Sequence, residues 1–512
     1  MTTCFLSGVQ PMRTELEIAI SPGLPSVEIV GLADPSIREA KNRVRNAIRN
    51  SGFVFPNSRV TVSLLPAYVH KSGSSVDLPL ALGILAASGQ LPMGKKSLFA
   101  YGELSLDGRV LGVPGGILRI LQGEGFSHII GPVSHMSEIQ LIRLPVFCAE
   151  TLRDAVEFLI CGKRAEAERG AFTHANQPDF ESQDGESTPD YSSLKGQERA
   201  RRGILIAAAG YHSILFSGSP GCGKTTSAEI LHGLLPPLSD TERVEVLARK
   251  SLTSPLCQRD IQTRLRPFRR LDPSCSSVSI MGGGKPFSPG ALALSRHGVL
   301  FLDELPEFSR NVLECIRLAL DGKRILASGD EGGDDSFGGF LLVGAMNPCR
   351  CGNLLESDNS CACTDIQRSQ YRNRISGALY DRFDMAVDMF RTDPNALRGR
   401  QPSSRRESAS LRARVFECWQ LQYARNRNCG LPLLRNGEIT DGIEFAEIFR
   451  ISDKVLAYAS DISCKMSLSV RGYFFLLRVA RTIGDLEDSS DLREEHLLEA
   501  TCFRRKNSRH GG

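Results

Sequence analysis

Hydrophobic and polar positions change their periodicity along the chain and divide it into segments. Over residues 1–161, short β-like runs such as residues 16–20 and 59–64 alternate with helical patterns such as residues 35–50 and 77–87. This mixture predicts a compact α+β domain at the N-terminal end.

The rest of the chain shows three further patterns. Residues 162–193 are polar and almost free of aliphatic side chains, which predicts a linker. Over residues 194–391, apolar strand-like runs alternate with helical stretches and glycine turns, as in a parallel sheet with crossover helices. Residues 392–512 begin polar and rich in arginine and continue as amphipathic helical patterns. We therefore expect an α/β core followed by a small helical lid domain.

A glycine-rich segment, SGSPGCGKTTS, follows an apolar run at residues 213–216 and precedes a stretch with helical periodicity. Strand, glycine-rich loop and helix in this order form a P-loop, in which backbone N–H groups surround phosphates at a helix N-terminus. Lys224 is expected to reach the β- and γ-phosphates and Thr225 to ligate Mg²⁺. The alternative is an ordinary glycine-rich turn. The predicted ATP-binding residues are Gly218, Ser219, Pro220, Gly221, Cys222, Gly223, Lys224, Thr225 and Thr226.

Polar residues also end two later apolar runs. The run GVLFL ends at Asp303 and Glu304, and FLLVGAM ends just before Asn347. Because ligands bind at the carboxyl edge of parallel strands, Asp303 is expected to hold Mg²⁺ and Glu304 to act as general base. Asn347 would orient the attacking water. The alternative for the acidic pair is an ordinary acidic strand terminus.

Two arginines complete the pattern of a hydrolytic site. Arg382 lies between two acids in YDRFD, and Arg471 lies at a predicted helix start. Arg382 would be an arginine finger given to the γ-phosphate of a neighbouring subunit, and Arg471 would read the γ-phosphate in its own subunit. Each could instead be a structural ion pair, as an isolated arginine usually is. A finger at Arg382 implies a ring.

Together these segments resemble the magnesium-chelatase-like AAA+ ATPases, in the group named ComM or YifB. The resemblance rests on LKGQERARRGILIAAAGYHSILFSGSPGCGKT, RPFR, GVLFLDELPEF, GAMNPCRCG, RNRISGALYDRFD and SVRGYFFLLRVARTIGDL, and it covers nearly the whole chain. It implies a Lon-protease-like N-terminal domain of the ribosomal S5 domain 2-like kind, an AAA+ core and a helical C-terminal domain.

The resemblance further implies a hexamer, a homo-oligomeric ATP-driven motor that acts on single-stranded or branched DNA. Its activity would be branch migration, as a helicase in recombination or natural transformation. The alternatives are the motor subunit of a magnesium chelatase or an AAA+ protein that remodels other proteins. A nucleotide-binding switch without motor activity is disfavoured because a switch does not need Glu304, Asn347, Arg382 and Arg471 together.

The segment after RPFR departs from the family pattern. The family usually continues with a pair of histidines, whereas this chain reads RLDPSCSSVSIMGGGKPFSPG. No role of those histidines carries over. Lys285 and Phe287 in this segment suggest a pore-facing pair for phosphate contact and base stacking. A solvent-exposed loop is the equal alternative.

The Lon-like part lacks one of the two residues that proteolysis requires. Ser75 stands where the resemblance places the serine nucleophile, but Leu118 stands at the position of the lysine base. Arg119 cannot replace that lysine because a guanidinium does not lose its proton in proteins. We therefore expect an inactive scaffold.

Cysteine pairs follow the predicted water-orienting Asn347. They form CRC and CAC, with Cys349, Cys351, Cys361 and Cys363 as candidate Zn²⁺ ligands. CxC spacing is less common than CxxC in zinc sites, so four unligated thiols are an equal alternative.

Composition places few limits on this picture. The chain has 512 residues, of which 41% are hydrophobic and 23% charged, as expected for globular domains. Its 15 cysteines are an odd, scattered set that suits a reducing compartment. The N-terminal residues lack a signal peptide pattern and no apolar run reaches the ~18 residues of a membrane span, so we expect a cytoplasmic protein without membrane partners. The net charge of +4 leaves the macromolecular partner open.

Overall fold

The computed structural model describes residues 1–32, 34–69, 71–92, 97–161, 189–284, 287–321, 339–356, 360–391, 406–430, 432, 434–439 and 445–504. Most of the predicted linker, and Lys285 of the predicted pore pair, lie outside these residues. The predicted linker's last residues are described: Tyr191–Ser193 form a 3₁₀ helix, and the Tyr191 ring is buried in the core of the following unit. The packed core therefore begins a few residues before position 194.

The N-terminal unit combines strands and helices. Its strands are β1 (Thr2–Ser7), β2 (Gln10–Ser21), β3 (Ser26–Val30), β4 (Arg59–Leu65), β5 (Leu98–Ala100), β6 (Glu103–Leu104), β7 (Val110–Leu111), β8 (His128–Pro132) and β9 (Val146–Ala149). Its helices are α1 (Pro35–Asn50), α2 (Asp77–Ala87), α3 (Gly116–Gln122), α4 (Met136–Ile142) and α5 (Leu152–Cys161), and Val133–His135 is a 3₁₀ helix. A seven-stranded mixed sheet has the order β3-β4-β2-β1-β5-β8-β9.

Local sequence explains how the first helices form and pack. The Asp34 carboxylate accepts a hydrogen bond from the Ile37 N–H at 3.0 Å and so caps α1, with a proline at the first helical position. Helix α2 is apolar on nearly all sides, and its residues 77–85 are buried. Asp77 tolerates this burial because the Arg43 Nε donates to its Oδ2 at 2.7 Å.

The central unit is an α/β fold. Its strands are β10 (Ile214–Gly218), β11 (Phe268–Leu271), β12 (Gly282–Gly283), β13 (Ser288–Pro289), β14 (Val299–Leu302), β15 (Leu341–Met346) and β16 (Met385–Met389). Its helices are α6 (Glu198–Gly210), α7 (Lys224–Leu234), α8 (Asp240–Lys250), α9 (Gln258–Gln262), α10 (Ser277–Met281), α11 (Ala291–Leu294), α12 (Arg310–Leu320), α13 (Asp365–Arg372) and α14 (Gly377–Tyr380). Leu305–Glu307 is a further 3₁₀ helix.

A parallel sheet of five strands organises this unit, in the order β11-β14-β15-β10-β16. Every residue of β10, β14 and β15 is buried, as expected for parallel strands covered on both faces. The order places β15 between β10 and β14. The polar residues that follow these three strands therefore meet at one edge of the sheet.

The C-terminal part consists of helices. They are α15 (Arg406–Asn428), α16 (Phe445–Ile448), α17 (Asp453–Lys465), α18 (Val470–Leu486) and α19 (Glu494–Cys502), with a 3₁₀ helix at Asn436–Glu438. These helices share one hydrophobic core with the central unit, in which Trp419 and Leu476 belong to the same cluster as Phe216 of β10. The Trp419 indole N–H donates to the Ala208 carbonyl at 3.0 Å. The helical segment thus packs directly onto α6 and the sheet.

The N-terminal and central units also contact each other. Ile117 of α3 and Leu141 of α4 form a buried apolar cluster with Leu247 of α8 and Ile261 of α9. The Gly115 N–H donates to the Ser251 carbonyl at 3.0 Å beside this cluster. Among the helices of the described ranges, none is both long enough and apolar enough to cross a bilayer.

Candidate nucleotide-binding site

The loop between β10 and α7 contains the predicted phosphate-binding residues. Gly221 and Gly223 adopt φ angles of 79° and 93°, a region that favours glycine, and α7 begins at the next residue, Lys224. At Gly218, a Cβ would lie 2.5 Å from the Met389 carbonyl oxygen, so only glycine fits there. Consecutive N–H groups can therefore face an anion at the N-terminus of α7.

The Lys224 side chain folds back over this loop. Its Nζ donates to the carbonyl oxygens of Gly218 at 2.6 Å and Ser219 at 2.9 Å, and to the Asn347 Oδ1 at 3.2 Å. Burial lowers the pKa of Lys224, and the charges of Asp303 and Glu304 oppose that shift. The ammonium thus lies where it can contact phosphate oxygens and joins the predicted phosphate loop to the predicted water-orienting amide.

Hard oxygen ligands meet at the start of α7. The Thr225 hydroxyl donates to the Asp303 Oδ2 at 3.3 Å, which brings together the two residues predicted to hold Mg²⁺. A hydroxyl and a carboxylate fit Mg²⁺, which prefers a few protein oxygens supplemented by phosphate and water. These residues would hold Mg²⁺ together with the nucleotide.

Arg270 is a member of this group that the sequence reasoning missed. Its guanidinium donates to the same Asp303 Oδ2 at 2.8 Å and is half-exposed. Arg270 is in β11, which pairs with β14, so its partner is 33 positions away in sequence. The adjacency follows from strand order, and no sequence motif marks it.

Glu304 has a backbone conformation that is rare for a residue with a side chain. Its φ is 53°, in the left-handed region, and its N–H donates to the Asp303 Oδ1 at 3.0 Å. Such strain is maintained only where the surrounding structure fixes it, and it is common at active sites. Glu304 is exposed at the sheet edge beside the P-loop, where a carboxylate can contact a water molecule.

Arg382 and Arg471, the two arginines predicted to contact the γ-phosphate, both lie near the carboxylate of Asp321. Asp321, at the end of α12, accepts from the Arg382 Nε at 2.6 Å, and the Arg471 guanidinium lies 3.8 Å from the same Oδ1. Arg317 donates to the other oxygen of Asp321 at 3.2 Å. Neither Arg382 nor Arg471 contacts a P-loop residue through these interactions. The structure thus brings both arginines to one carboxylate, which the sequence reasoning had not identified.

Ser75, at the predicted nucleophile position, has no exposed hydroxyl. Ser75 is buried, and its hydroxyl donates to the Cys4 carbonyl at 3.4 Å. The buried Arg119 guanidinium donates to the same carbonyl. Leu118 packs against the cluster between the N-terminal and central units. The Ser75 hydroxyl is therefore occupied with a backbone acceptor rather than a base.

Phe287, the described half of the predicted pore pair, lies near the N-terminal unit. A Cβ on Gly8, in the turn between β1 and β2, would be 3.8 Å from the Phe287 Cζ. The Phe287 ring thus packs against the N-terminal unit.

The four cysteines that were predicted as candidate Zn²⁺ ligands lie close together. Their sulfur atoms all lie within 4.8 Å of one another.

This geometry defines a class of protein. A parallel sheet with a P-loop after one strand, an acidic pair after a second and an amide after the strand between them is the nucleotide site of the AAA+ ATPases. Sequence comparisons agree with this assignment. The magnesium chelatase subunit ChlI profile matches residues 190–397, a second profile of that subunit matches residues 16–134, and its C-terminal profile matches residues 405–504.

Relatives cover nearly the full length. The chain is 36% identical over 507 residues to competence protein ComM of Haemophilus influenzae, covering 97% of this chain and 95% of the relative. It is 35% identical over 502 residues to the uncharacterized protein YifB of Salmonella typhimurium, with the same coverage of 97% and 95%. The chain therefore belongs to the magnesium-chelatase-like AAA+ ATPase family, in the group that includes ComM and YifB.

A more distant relative represents another branch of the family. The magnesium-chelatase 38 kDa subunit of Rhodobacter capsulatus is 24% identical over 328 residues, which cover 60% of this chain and 84% of that protein.

Proposed function

We propose that this protein is an ATP-driven ring motor that acts on DNA, with branch migration in recombination or natural transformation as its activity. The observation that carries the proposal is the meeting of Lys224, Thr225, Asp303, Glu304 and Asn347 at one edge of the parallel sheet. A protein that only binds nucleotide needs the first three; a general base and a water-orienting amide serve hydrolysis.

Each side chain has a proposed role in hydrolysis. Lys224 and the loop N–H groups hold the phosphates, and Thr225 and Asp303 hold the metal. Mg²⁺, when bound with ATP, neutralises charge on the β- and γ-phosphates. Glu304 accepts a proton from the attacking water, and Asn347 orients that water. Because Lys224 already contacts Asn347, phosphate binding and water positioning are coupled through this hydrogen bond.

The ring is proposed from Arg382 and Arg471. One subunit cannot place Arg382 against its own γ-phosphate if the residue acts as a finger, so neighbouring subunits would complete each other's sites. In the single chain Arg382 is mostly buried and paired with Asp321. Formation of a hexamer would then exchange this ion pair for a phosphate contact, which links assembly to hydrolysis. Residues 1–161 are proposed to be an inactive Lon-protease-like platform.

DNA is proposed as the substrate because the full-length relative from Haemophilus influenzae is named a competence protein. Competence involves the uptake of DNA, and single-stranded or branched DNA would pass along a ring that binds its phosphates. A chelatase-type motor is the second candidate. The ChlI family profiles favour it, and so does the distant 38 kDa chelatase relative, whose alignment covers 60% of this chain.

The decisive experiment measures steady-state ATP hydrolysis by the purified full chain without polymer, with single-stranded DNA, with a four-way DNA junction and with unfolded protein. We expect stimulation by DNA, strongest with the junction. Glu304→Gln should bind ATP and hydrolyse it at least about 100-fold more slowly. Glu307→Gln is the matched control, because Glu307 is on the same turn but forms an ion pair with Arg374.

The result separates three candidates: a DNA motor, a protein-remodelling ATPase and a chelatase-type motor. Stimulation by unfolded protein alone would overturn the DNA proposal in favour of protein remodelling. Hydrolysis that no polymer stimulates would favour a chelatase-type motor. Equal loss of activity in Glu304→Gln and Glu307→Gln would show that Glu304 has no particular catalytic role.

A further inference from the structure

A cluster of cysteines lies directly after the candidate nucleotide site in sequence. Cys349 and Cys351 follow Asn347, and Cys361 and Cys363 precede α13. The sulfur of Cys349 lies 3.3 Å from that of Cys351 and 3.7 Å from that of Cys361, and the Cys351–Cys361 distance is also 3.7 Å. These separations are too long for disulfide bonds, which have sulfur atoms about 2.05 Å apart.

The separations fit a tetrahedral metal site. Four sulfurs bound to Zn²⁺ at about 2.3 Å stand about 3.8 Å from one another. The group here, with all four sulfurs within 4.8 Å, already has nearly this size. Thiolate ligands in a tetrahedron select Zn²⁺ over the hard cations that oxygen sites bind.

The surroundings of the sulfurs match those of metal-bound thiolates. Backbone N–H groups of Gly352 and Leu354 interact with the Cys349 sulfur, and that of Asn353 with the Cys351 sulfur. The Arg368 guanidinium of α13 donates to the Cys361 sulfur at 3.4 Å. Zn²⁺ with four thiolates carries a net charge of −2, so such donors stabilise the bound form.

The turn that carries the first pair of cysteines packs against the P-loop. The Gly352 N–H donates to the Cys349 carbonyl at 3.1 Å, and Gly352 has a φ of 86°. A Cβ on Gly352 would lie 2.6 Å from the Pro220 Cδ, so the backbone of the turn rests on Pro220. The cysteine cluster is thus in mechanical contact with the phosphate-binding loop, and Asn347 is two positions before its first ligand.

The second pair of cysteines is fixed to a helix. Thr364 follows Cys363 directly and caps α13, with its hydroxyl accepting from the Gln367 N–H at 3.3 Å and its N–H donating to the Gln367 Oε1 at 3.0 Å. A metal bound by the four sulfurs would therefore connect the turn that contacts the P-loop rigidly to α13.

We propose that Cys349, Cys351, Cys361 and Cys363 bind a structural Zn²⁺, and that the resulting knuckle braces the P-loop through the contact between Gly352 and Pro220. The metal holds the turn closed on the loop, so its presence favours the conformation that binds nucleotide. This inference goes beyond the proposed motor activity, since it concerns a metal and the affinity for nucleotide and does not depend on DNA.

The first test is the metal content of the full chain purified without chelator. We expect one zinc per chain, and none in the double variant Cys361→Ser/Cys363→Ser. Cys429→Ser/Cys464→Ser is the matched control, because both of those cysteines are exposed and outside the cluster. Replacement of zinc by Co²⁺ should give the intense sulfur-to-metal charge-transfer absorption of a tetrahedral thiolate site, a readout that needs no variant. Absence of zinc together with absence of this cobalt spectrum would overturn the site.

The second test concerns the brace and uses the affinity for a fluorescent ATP analogue. Removal of the metal should raise the Kd by at least about fivefold, the usual lower range of coupling between two sites. Gly352→Ala should do the same while zinc remains at one per chain. Gly430→Ala is the control, since Gly430 has a φ of 70° but, within the described part of the chain, no atom lies within 4 Å of its Cβ position. An unchanged Kd for both the metal-free protein and Gly352→Ala would overturn the brace.

Discussion

Arg382 and Asp321 form a partly buried ion pair in which the Arg382 Nε donates to the Asp321 Oδ1 at 2.6 Å. Arg471 approaches the same oxygen at 3.8 Å. Arg382, the expected arginine finger, and Arg471, the arginine expected to read the γ-phosphate, therefore lie near each other on one carboxylate. Any subunit that takes an arginine from its neighbour must compete with Asp321, and this makes Arg382 the residue on which the ring proposal can be tested.

Mixing two inactive variants should restore ATP hydrolysis. Arg382→Ala should lose at least about 100-fold in kcat, because loss of an arginine finger commonly costs more than that. Glu304→Gln should be similarly slow. In a ring, an Arg382→Ala subunit that keeps Glu304 can pair with a Glu304→Gln subunit that keeps Arg382, and that interface is complete. We expect activity to appear when the two proteins are mixed and to depend on their ratio.

The outcome distinguishes a finger from an ion pair. If Arg382 has only a structural role beside Asp321, mixing restores nothing and the thermal stability of Arg382→Ala falls instead. Mixing Arg382→Ala with Lys224→Ala serves as a second combination, since Lys224 belongs to the same subunit's site as Glu304.

Replacement of Arg270 should change the dependence of the activity on Mg²⁺. The Arg270 guanidinium shares the Asp303 Oδ2 with Thr225, so it competes electrostatically with a metal at that oxygen. The pair is half-exposed and is worth at most about 1 kcal/mol. In Arg270→Ala, the Mg²⁺ concentration that gives half-maximal ATP hydrolysis should therefore fall by about two- to fivefold.

Arg269 provides the matched control for this measurement, because it is the exposed neighbour of Arg270 on β11. Arg269→Ala should leave the Mg²⁺ titration unchanged. An increase in the half-saturating Mg²⁺ concentration in Arg270→Ala would instead show that Arg270 assists metal or phosphate binding.

Two substitutions of Asn347 should affect different kinetic parameters. Asn347→Ala removes the proposed water-orienting amide but only one of the three hydrogen bonds of the Lys224 ammonium, so kcat should fall with little change in KM. Asn347→Asp places a carboxylate where the Oδ1 lies 3.2 Å from the Lys224 Nζ, and the resulting ion pair competes with phosphate for the ammonium. Its KM should rise about tenfold. Steady-state kinetics with varied ATP measure both values, and equal effects of the two substitutions would contradict this account.

The residues that could be predicted from sequence are those whose position follows from local order. Lys224, Asp303 and Asn347 each follow a buried strand of one parallel sheet. Residues in such positions meet at the same edge of the sheet, independently of the conformation of the loops. Arg270 and Asp321 could not be found in this way. Their contacts depend on which strand is beside β14 and on where α12 ends relative to Arg382, both of which are set by tertiary packing.

The same distinction applies to boundaries and loops. The polarity of residues 162–193 suggests a linker, but a single aromatic side chain at Tyr191 returns to the core and shifts the boundary. The spacing of Cys349, Cys351, Cys361 and Cys363 does not distinguish a zinc site from four unligated thiols. The contact of Gly352 with Pro220 depends on loop packing that no periodicity reveals.

Glu138 gives a prediction for the pH dependence of stability in the N-terminal unit. This carboxyl is buried on α4, and its Oε2 has no hydrogen-bond partner among the residues that the structure describes. Burial raises the pKa of Glu138 from its ordinary value of 4.5 to about 7, although a hydrogen bond from the Ile117 backbone opposes the shift. Tyr101, Arg119 and His135 are nearby, and burial lowers the pKa of His135 to about 4, so that ring is neutral above that pH.

A raised pKa means that the folded state holds a proton that the unfolded state releases. The free energy of unfolding should therefore fall as the pH rises from 4.5 to about 7, by up to about 3 kcal/mol, and change no further above that pH on account of this group. Glu138→Gln keeps the shape of the side chain and replaces the titratable carboxyl group by a neutral amide. Its thermal midpoint should match that of the wild type at pH 5 and exceed it by several degrees at pH 8.

Thermal unfolding followed between pH 5 and pH 8 checks this prediction. Glu157→Gln is the control, because Glu157 is exposed on α5 and its replacement should shift the midpoint equally little at every pH. The difference in thermal midpoint between Glu138→Gln and the wild type could instead be the same at pH 5 and pH 8. That result would mean that Glu138 contributes through packing rather than through its charge. The packing partner would be Gly116, where a Cβ would lie 2.0 Å from the Glu138 Oε2.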